Sequence, residues 1–431
     1  MAGSTPSRAS ILLASCIGTS IEWYDYYVFG SASALVFGSL FFPSFSPVAG
    51  TLAAFGTFAV GFIARPLGGA VIGHFGDRIG RKSMLVLTLM LAGLATFLIG
   101  LLPTYAAIGV AAPILLVFLR LVQGFGVGGE WGGAVLVATE HATPRQRAVY
   151  GSFAQFGVPI GVLTSNLVFL LVVETTGDGF ATWGWRIPFL VSVALLVVGM
   201  LVRRTLTESP EFQRVRATRQ VSRVPAATLL RERPGTLLLA SLAAIAPPAV
   251  GYTVMVYMLS YGTQAAGFER STLLTLILAS TVLWIAGIYV AARCADRWGS
   301  KPVYAIGAGF AVVWAWPLFL LVDTGSVGAA LLAFMVAGIV QAIMAGAQGA
   351  LFTEIFPARM RFSGASIAYQ MGGLVGGAVT PLAATGLYSA YHSSTPIAVY
   401  LGLLCAVSLV AVLVLPAPSR AAVPEAVGSV R

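Results

Sequence analysis

Four ionisable side chains lie inside long apolar stretches of this sequence: Glu22, Asp25, Arg65 and Arg120. Such a group needs a partner or a function, because removing a charge from water is unfavourable. Glu22 and Asp25 are three residues apart and would share one face of a helix. Two acids that face one arginine leave one acid able to take up and release a proton. These residues therefore indicate a buried proton-transfer site with an arginine that can attract an anion.

Other reactive patterns are missing from the sequence. The glycine-rich stretch 126–129 lies inside an apolar segment, which argues against a phosphate-binding loop. Cys16, Cys294 and Cys405 are far apart and lack metal-binding or redox spacing. We predict no enzymatic activity, no metal site and no cofactor.

The composition indicates what surrounds these residues. Of 431 residues, 58% are hydrophobic and only 9% are charged, whereas a soluble chain carries about 25% charged residues. The mean hydropathy is +0.90. Too few charges are present to give a large apolar core a charged shell, so the sequence predicts a membrane protein.

Twelve apolar segments are long enough to cross a bilayer as helices, since about 20 residues span its apolar core. They cover residues 11–40, 51–72, 83–102, 108–134, 148–172, 186–203, 236–261, 271–292, 302–322, 328–352, 362–386 and 396–416. We predict an all-α membrane protein of twelve transmembrane helices in two pseudo-symmetric six-helix bundles. The bundles would comprise residues 1–203 and 236–431, with a cytoplasmic loop at 204–235 between them.

The basic residues indicate the orientation of these helices, because lysine and arginine accumulate in cytoplasmic loops. If the N-terminus is cytoplasmic, 21 of the 25 basic residues fall on the cytoplasmic side. Arg186 and Arg270 lie outside, and two more lie within spans. We therefore predict that both termini are cytoplasmic. The net charge of +10 is then a topology signal, and we predict no binding of nucleic acid.

Several motifs resemble one known family. The run GHFGDRIGRK at 73–82 is echoed six spans later by DRWGSKP at 296–302, which indicates a duplicated bundle. The first run and RLVQGFGVGGE at 120–130 resemble signatures of the major facilitator superfamily. Within it, IEWYDY at 21–26, RPLGG at 65–69 and WRIPF at 185–189 resemble the metabolite:proton symporters, with 51–82 and 129–133 most similar to the shikimate-transporter branch.

The resemblance implies a set of gating residues at the cytoplasmic face. Asp77 would cap the start of the eleventh helix near residues 362–363, and Arg81 would pair with Glu130. The remaining members of the predicted gating set are Arg78, Asp296 and Arg297. The second copy of the motif has Ser300 and Lys301 where relatives often have two basic residues, so we expect a weaker gate in the second half.

Depth in the bilayer pairs the buried charges. At 1.5 Å per residue, Asp25 lies about 21 Å and Arg120 roughly 18 Å from the cytoplasmic side of a 30 Å core. We predict that Asp25 or Glu22 faces Arg120, which is also where related carriers place an acid and an arginine. These three residues would couple protons to transport, and Arg120 would attract the substrate carboxylate. Arg65 lies nearer the cytoplasmic end, where we expect it to snorkel or pair at the gate rather than contact substrate.

Polar residues within the spans are candidates for the lining of a substrate cavity. Any one of them could instead bond a neighbouring helix. Besides Arg120, the predicted substrate-binding residues are Tyr26, Tyr27, Gln155, Asn166, Tyr252, Tyr257, Gln341, Tyr369 and Gln370; Gln348 and Trp23 are further candidates.

The predicted function is proton-driven import of a small organic acid, such as shikimate or a related carboxylate, by alternating access. The resemblance places the protein in the bacterial cytoplasmic (inner) membrane, with a small organic anion, protons and the lipid bilayer as its partners. We expect a monomer, because one chain contains both halves of a pathway. A proline/betaine-type symporter is one alternative, although a long C-terminal coiled coil would be expected there. A drug/proton antiporter is another.

Overall fold

The computed structural model describes residues 8–79, 81–128, 131, 134–135, 138–139, 142–143, 145–205, 229, 231–357 and 361–416. Long helices account for most of these residues. The first six are α1 (Arg8–Ala32, a π-helical turn Ser33–Phe37, and Gly38–Phe41), α2 (Pro47–Ile79), α3 (Arg81–Leu101), α4 (Ala111–Val127), α5 (Arg147–Thr176) and α6 (Ile187–Thr205).

The second six follow the central segment. They are α7 (Pro234–Ala243, Ala246–Tyr252, a π-helical turn Thr253–Tyr257, and Met258–Gln264), α8 (Arg270–Trp298), α9 (Ser300–Asp323), α10 (Val327–Glu354), α11 (Arg361–Gly372, a π-helical turn Gly373–Ala378, and Val379–Tyr391) and α12 (Thr395–Val414). Each of the twelve predicted spans thus has a helix among the described residues. Residues 206–228 and 230 lie outside them, so the predicted loop at 204–235 stays a prediction.

Length and composition suit these helices to a membrane. Among the described residues, eight helical segments are long and apolar enough to cross a bilayer, and Val86–Leu101 and Ala111–Val127 are shorter apolar helices. The two that complete the set, α1 and α11, are more polar in sequence. They are also two of the helices that surround the cavity described below.

The two repeated motifs begin in helices rather than in loops. Closely spaced glycines such as Gly73 and Gly76 favour a tight loop, but α2 continues through both to Ile79. The second copy behaves alike, because α8 continues to Trp298 and the chain reverses at Gly299. Gly299 has φ of +100°, a conformation that residues with a Cβ rarely adopt. A single glycine therefore makes this turn between α8 and α9.

A break in α7 is stabilised by side chains from its neighbours. The Ser408 hydroxyl on α12 accepts a hydrogen bond from the Ala246 amide and donates one to the Leu242 carbonyl, both at 2.8 Å. It thus stands between two backbone groups that an unbroken helix would join directly. Pro247 has no N–H, and the Ala243 carbonyl four residues earlier accepts instead from the Tyr304 hydroxyl at 2.7 Å. The break leaves α7 with satisfied backbone groups next to the cavity.

Glycines let helices approach closely, mostly within one half of the molecule. A Cβ at Gly161 would lie 2.7 Å from the Tyr24 amide of α1, and a Cβ at Gly372 would lie 2.4 Å from the Ala244 carbonyl of α7. One glycine of α5 does contact the other half, because a Cβ at Gly349 of α10 would lie 2.9 Å from the Gly151 carbonyl. The small residues of the fifth and eleventh helices predict that the halves slide along these helices, and this stays a prediction.

Candidate functional site

A cavity of about 40 Å³ lies between the two halves, where α1, α2, α5, α7, α8, α10 and α11 converge. Its walls are largely aromatic and amide side chains. The lining residues are Trp23, Tyr27, Phe62, Arg65, Gln155, Val158, Pro247, Pro248, Gly251, Tyr252, Trp284, Gln341, Ala345, Gln348, Tyr369 and Gly373. Among these described residues, Arg65 is the one charged side chain.

Arg65 is buried at the cavity wall. We predicted that it would snorkel to the interface or pair at the gate, and it does not snorkel. Its side chain is 2% exposed. The guanidinium carbon lies 3.7 Å from the ring centroid of Tyr26 and 4.5 Å from that of Phe62. Its Nε and Nη2 donate no hydrogen bond to any described residue. Arginine recognises carboxylates with two parallel N–H groups, so Arg65 offers an unused binding fork to the cavity.

Arg120 lies behind the cavity wall, which is a correction to its predicted contact with substrate. Its side chain is fully buried and is absent from the described lining. It donates hydrogen bonds to the Gln123 side chain and to the Phe58 carbonyl, the latter at 3.3 and 3.4 Å. Gly61 provides the space, since a Cβ there would lie 2.5 Å from the Arg120 Nε.

The two acids of α1 lie near different arginines. Asp25 is 1% exposed and interacts electrostatically with Arg120. Its Oδ1 accepts no hydrogen bond from a described residue. Glu22 is also buried, and it interacts electrostatically with Arg65. The structure therefore contains two acid–arginine sets rather than two acids facing one arginine.

Tyr26 connects these two sets. Its ring centroid lies 3.7 Å from the guanidinium carbon of Arg65 and 4.1 Å from that of Arg120. A cation over an aromatic ring is attracted to the negative face of the ring. Tyr26 was predicted to line the cavity, but it is absent from the described lining. It instead forms the contact between the arginine at the cavity and the arginine near Asp25.

The other predicted substrate-binding residues divide into two groups. Tyr27, Gln155, Tyr252, Gln341 and Tyr369 line the cavity.

Asn166, Tyr257 and Gln370 are absent from the described lining, and each has a backbone partner elsewhere. Asn166 bonds the Val162 carbonyl of its own helix at 3.0 Å, and the Tyr257 hydroxyl bonds the Ala384 carbonyl at 3.3 Å. Gln370 of α11 bonds the Gly128 carbonyl at 3.3 Å, a contact between the halves.

Several lining residues were not among the predicted substrate contacts. Trp284 is the most informative, because a tryptophan in a membrane helix is usually found near an interface, whereas this one lies in the middle of α8. That position is a signal that the sequence contains. Phe62 and Pro247 carry no comparable signal, since apolar residues are common throughout the spans.

Four side chains join the two halves at one end of the cavity. The rings of Trp131 and Tyr369 stack with centroids 3.8 Å apart and 5° between their planes. The Trp131 Nε1 donates to the Gln155 Oε1 at 3.1 Å, and the Gln155 Nε2 donates to the Gln348 Oε1 at 2.6 Å. We call these four residues the inner gate. They lie towards the α8–α9 turn, the side that the sequence predicts to be cytoplasmic.

Asp296 joins the halves at the same end. Its carboxylate accepts hydrogen bonds from the backbone amides of Ala148 and Val149 at 2.8 and 3.2 Å. These amides belong to the first turn of α5, where an acid both caps the helix and interacts favourably with its dipole. Arg297, the other described member of the predicted gating set, is exposed.

The residues that replace the usual basic pair both make contacts. Ser300 donates a hydrogen bond to Glu354 of α10 at 2.7 Å, and Lys301 bonds the Leu413 and Leu415 carbonyls at the end of α12 at 2.9 and 2.6 Å. The side chains of Asp77, Arg78, Arg81 and Glu130 lie outside the described residues. Their predicted roles stay predictions.

The sequence and the fold both have relatives among known proteins. Residues 15–368 match the model of the Major Facilitator Superfamily. The chain is 40% identical to the shikimate transporter of Escherichia coli, over 95% of this chain and 94% of that protein. It is 39% identical to the inner membrane metabolite transport protein YhjE of the same species, over 94% of each. A proline/betaine transporter of Escherichia coli is 31% identical, over 93% of this chain and 81% of that protein.

Solved structures share the architecture at low sequence identity. A crystal structure of a D-xylose-proton symporter superimposes with a TM-score of 0.74 at 20% identity, covering 96% of this chain and 98% of that one. A partially occluded, inward-open structure of the xylose transporter XylE from E. coli gives a TM-score of 0.73, over 94% of this chain and 96% of that one. The predicted twelve-helix, two-bundle fold class is thereby confirmed.

Proposed function

The chain belongs to the Major Facilitator Superfamily, as its motifs predicted, and we propose that it imports a small organic monocarboxylate, such as shikimate, together with a proton. It is a membrane transporter and not an enzyme, in line with its metabolite-transporting relatives. Substrate and coupling ion are the parts that we propose.

One observation carries the choice of a carboxylate. Arg65 lines the cavity, is 2% exposed, and has two donor nitrogens with no hydrogen-bond partner among the described residues. An unpartnered buried donor is unfavourable, and hydrogen bonds between arginine and carboxylate are among the stronger ones in proteins. A carboxylate at Arg65 would satisfy both of these donors.

Charge counting supports coupling to one proton. Arg65 and Arg120 carry two positive charges, and Glu22 and Asp25 carry two negative charges when ionised. Adding one carboxylate leaves a net negative charge in an apolar region, which is unfavourable. A proton on Asp25 restores neutrality, and the Tyr26 ring between the two arginines is the contact through which the sites influence each other. Substrate affinity should therefore rise as the pH falls.

Alternating access follows from the contacts between the halves. The inner gate and the Asp296 cap join Trp131 and α5 of the first half to α8, α10 and α11 of the second at one end of the cavity. Release at that end requires these contacts to separate while the helix packing within each half persists. In this proposal the bundles are residues 1–203 and 236–431.

The same proposal includes the membrane in which the protein lies and the orientation of its helices in that membrane. Relatives from Escherichia coli include an inner membrane metabolite transport protein, which supports the bacterial inner membrane. The distribution of basic residues supports cytoplasmic termini and a cytoplasmic loop at 204–235. Because both halves of the cavity come from one chain, we propose that the monomer is the transporting unit.

A second candidate substrate is a betaine or another zwitterion. The aromatic lining, which includes Trp23, Tyr27, Tyr252 and Trp284, could hold a quaternary ammonium through cation–π contacts. The proline/betaine relative shares 31% identity. Arg65 stands against it, because its guanidinium already lies over the Trp23 ring and would repel a second cation in the same cavity.

The test is uptake of radiolabelled shikimate into liposomes that contain the purified chain, with an inward proton gradient. We expect accumulation that an uncoupler abolishes and that unlabelled shikimate inhibits more strongly than glycine betaine, proline or citrate. Arg65→Lys should lose most uptake, because lysine cannot form the two-nitrogen fork. Arg270→Lys, the same change near Phe180 and outside the described cavity lining, is the matched control. Strong inhibition by betaine alone would favour the zwitterion.

A further inference from the structure

The half of the cavity contributed by α7, α8 and α10 contains polar atoms that the proposed carboxylate contact at Arg65 does not use. Four of them have no hydrogen-bond partner among the described residues: Tyr252 Oη, Trp284 Nε1, Gln341 Oε1 and Gln348 Nε2. Each side chain is at most 4% exposed. Buried polar groups in folded proteins nearly always have partners, so this concentration in one cavity indicates a polar ligand.

The orientation of both amides is fixed by their other atom. The Gln341 Nε2 donates to the Pro247 carbonyl at 2.8 Å, so its Oε1 is left as an acceptor. The Gln348 Oε1 accepts from Gln155 at 2.6 Å, so its Nε2 is left as a donor. The cavity therefore offers an acceptor and a donor on the same helix.

The spacing of these groups limits what can satisfy them. Gln341 and Gln348 are seven residues apart, which places them on one face of α10 about 10 Å apart along its axis. Trp284 of α8 adds a donor with no charge. A single small group cannot serve both ends of such a row, but hydroxyl groups can, because each hydroxyl both donates and accepts.

The charge of the lining residues favours hydroxyl groups over a second carboxylate as the ligand of this half. None of the described lining residues in this half is cationic, so a second carboxylate here would lack a counter-charge. A ring without polar substituents would leave all four atoms unsatisfied, which is unfavourable for each.

We propose that Gln341, Gln348 and Trp284 form a hydroxyl-binding subsite opposite Arg65, and that the substrate is a ring monocarboxylate with hydroxyl groups on the side away from its carboxylate. This inference rests on the proposed function, since it assumes that Arg65 holds the carboxylate. It adds to Arg65 the residues that determine which carboxylates bind.

The experiment compares two ligands that differ only in hydroxyl groups. Equilibrium binding of radiolabelled shikimate to the purified full chain is measured, with unlabelled shikimate or cyclohex-1-ene-1-carboxylate as competitor. Wild type should bind shikimate at least tenfold more tightly, because several hydrogen bonds are at stake. Gln341→Leu and, separately, Trp284→Phe should weaken shikimate binding by roughly tenfold and leave the affinity for the deoxy analogue nearly unchanged.

Matched controls keep the result interpretable. Gln264→Leu makes the same change on an exposed part of α7 outside the described lining and should leave both affinities unchanged. Trp284→Phe retains an aromatic ring, so it serves if Gln341→Leu fails to fold. Arg65→Lys should weaken both ligands equally.

Two outcomes overturn the subsite. One is wild-type affinity for the deoxy analogue equal to that for shikimate. The other is an equal loss of affinity for both ligands in Gln341→Leu and in Trp284→Phe. Either result would leave the role of Arg65 standing, whereas failure of the Arg65 variant to affect any ligand would count against the proposed function itself.

Discussion

Replacing Asp296 with alanine should open the end of the cavity at the inner gate. The Asp296 carboxylate of α8 caps α5 through the amides of Ala148 and Val149, and this contact joins the two halves. Moving the two halves apart at that end would break it. Removing it therefore destabilises the closed state without a matching effect on the open one.

The size of the effect follows from the kind of contact. Losing an acidic N-cap typically costs about 1–2 kcal/mol, which corresponds to a factor of roughly 5–30 in an equilibrium constant. Asp296→Asn keeps a capping oxygen but loses the charge that the helix dipole favours. Its effect should therefore be smaller than that of Asp296→Ala.

Distances between spin labels measure this equilibrium directly. Exposed positions Arg145, next to the start of α5, and Trp298, at the end of α8, can carry the labels in a chain whose native cysteines are replaced. Asp296→Ala should raise the long-distance population by roughly the factor above.

A neighbouring variant provides the control. Ser300→Ala removes a hydrogen bond to Glu354 that lies within one half, so it should leave the distance distribution unchanged. The reasoning is refuted if Asp296→Ala leaves the distribution as it is in the wild type, or if Ser300→Ala shifts it as much.

Three further predictions concern other parts of the molecule. Asp25→Asn should abolish gradient-driven accumulation and retain substrate counterflow, and retention of gradient-driven accumulation would contradict the role of this acid. Gly61→Ala would place a Cβ 2.5 Å from the Arg120 Nε, so uptake should fall roughly tenfold or more, since tight overpacking typically costs about 1–3 kcal/mol; unchanged uptake would show that Arg120 can move without consequence. Ser408→Ala removes the hydroxyl at the break in α7 and should destabilise the fold by about 1–3 kcal/mol, seen as a lower melting temperature in detergent; an unchanged melting temperature would argue against that account.

The sequence predicts the architecture well because bilayer thickness constrains it. Apolar length fixes the twelve helices, and the repeated motif by itself indicates the duplication. The same reasoning gave the ends of α2 and α8 less well. Glycines within 73–80 suggested a loop. A helix that packs against other helices tolerates glycine, however, and α2 continues to Ile79.

The sequence predicted how deep the buried charges lie in the bilayer, but not which of them face the cavity. Counting residues placed Asp25 and Arg120 at similar depth, and the structure has them interacting. Depth alone does not reveal which side of a helix faces the cavity, so the sequence did not predict that Arg65, rather than Arg120, lines it. The Tyr26 ring contacts both arginines, and of the two only Arg65 is among the described lining residues.

Contacts between the halves were the least accessible to sequence reasoning. Gln155 and Gln348 are 193 residues apart in the chain and are joined by one hydrogen bond. Both were candidates for the cavity because they are polar residues in apolar helices. That they bond each other, and that Trp131 stacks on Tyr369, depends on the packing of two bundles, which the local pattern does not encode.

The most direct test of the account separates the two buried arginines. Binding of radiolabelled shikimate to the purified chain is measured between pH 5 and pH 8 for the wild type, Arg65→Gln and Arg120→Gln. We predict that wild-type affinity rises as the pH falls, that Arg65→Gln loses binding at every pH, and that Arg120→Gln keeps binding but loses most of its pH dependence. Loss of binding in Arg120→Gln with binding retained in Arg65→Gln would contradict the account and place the carboxylate at Arg120.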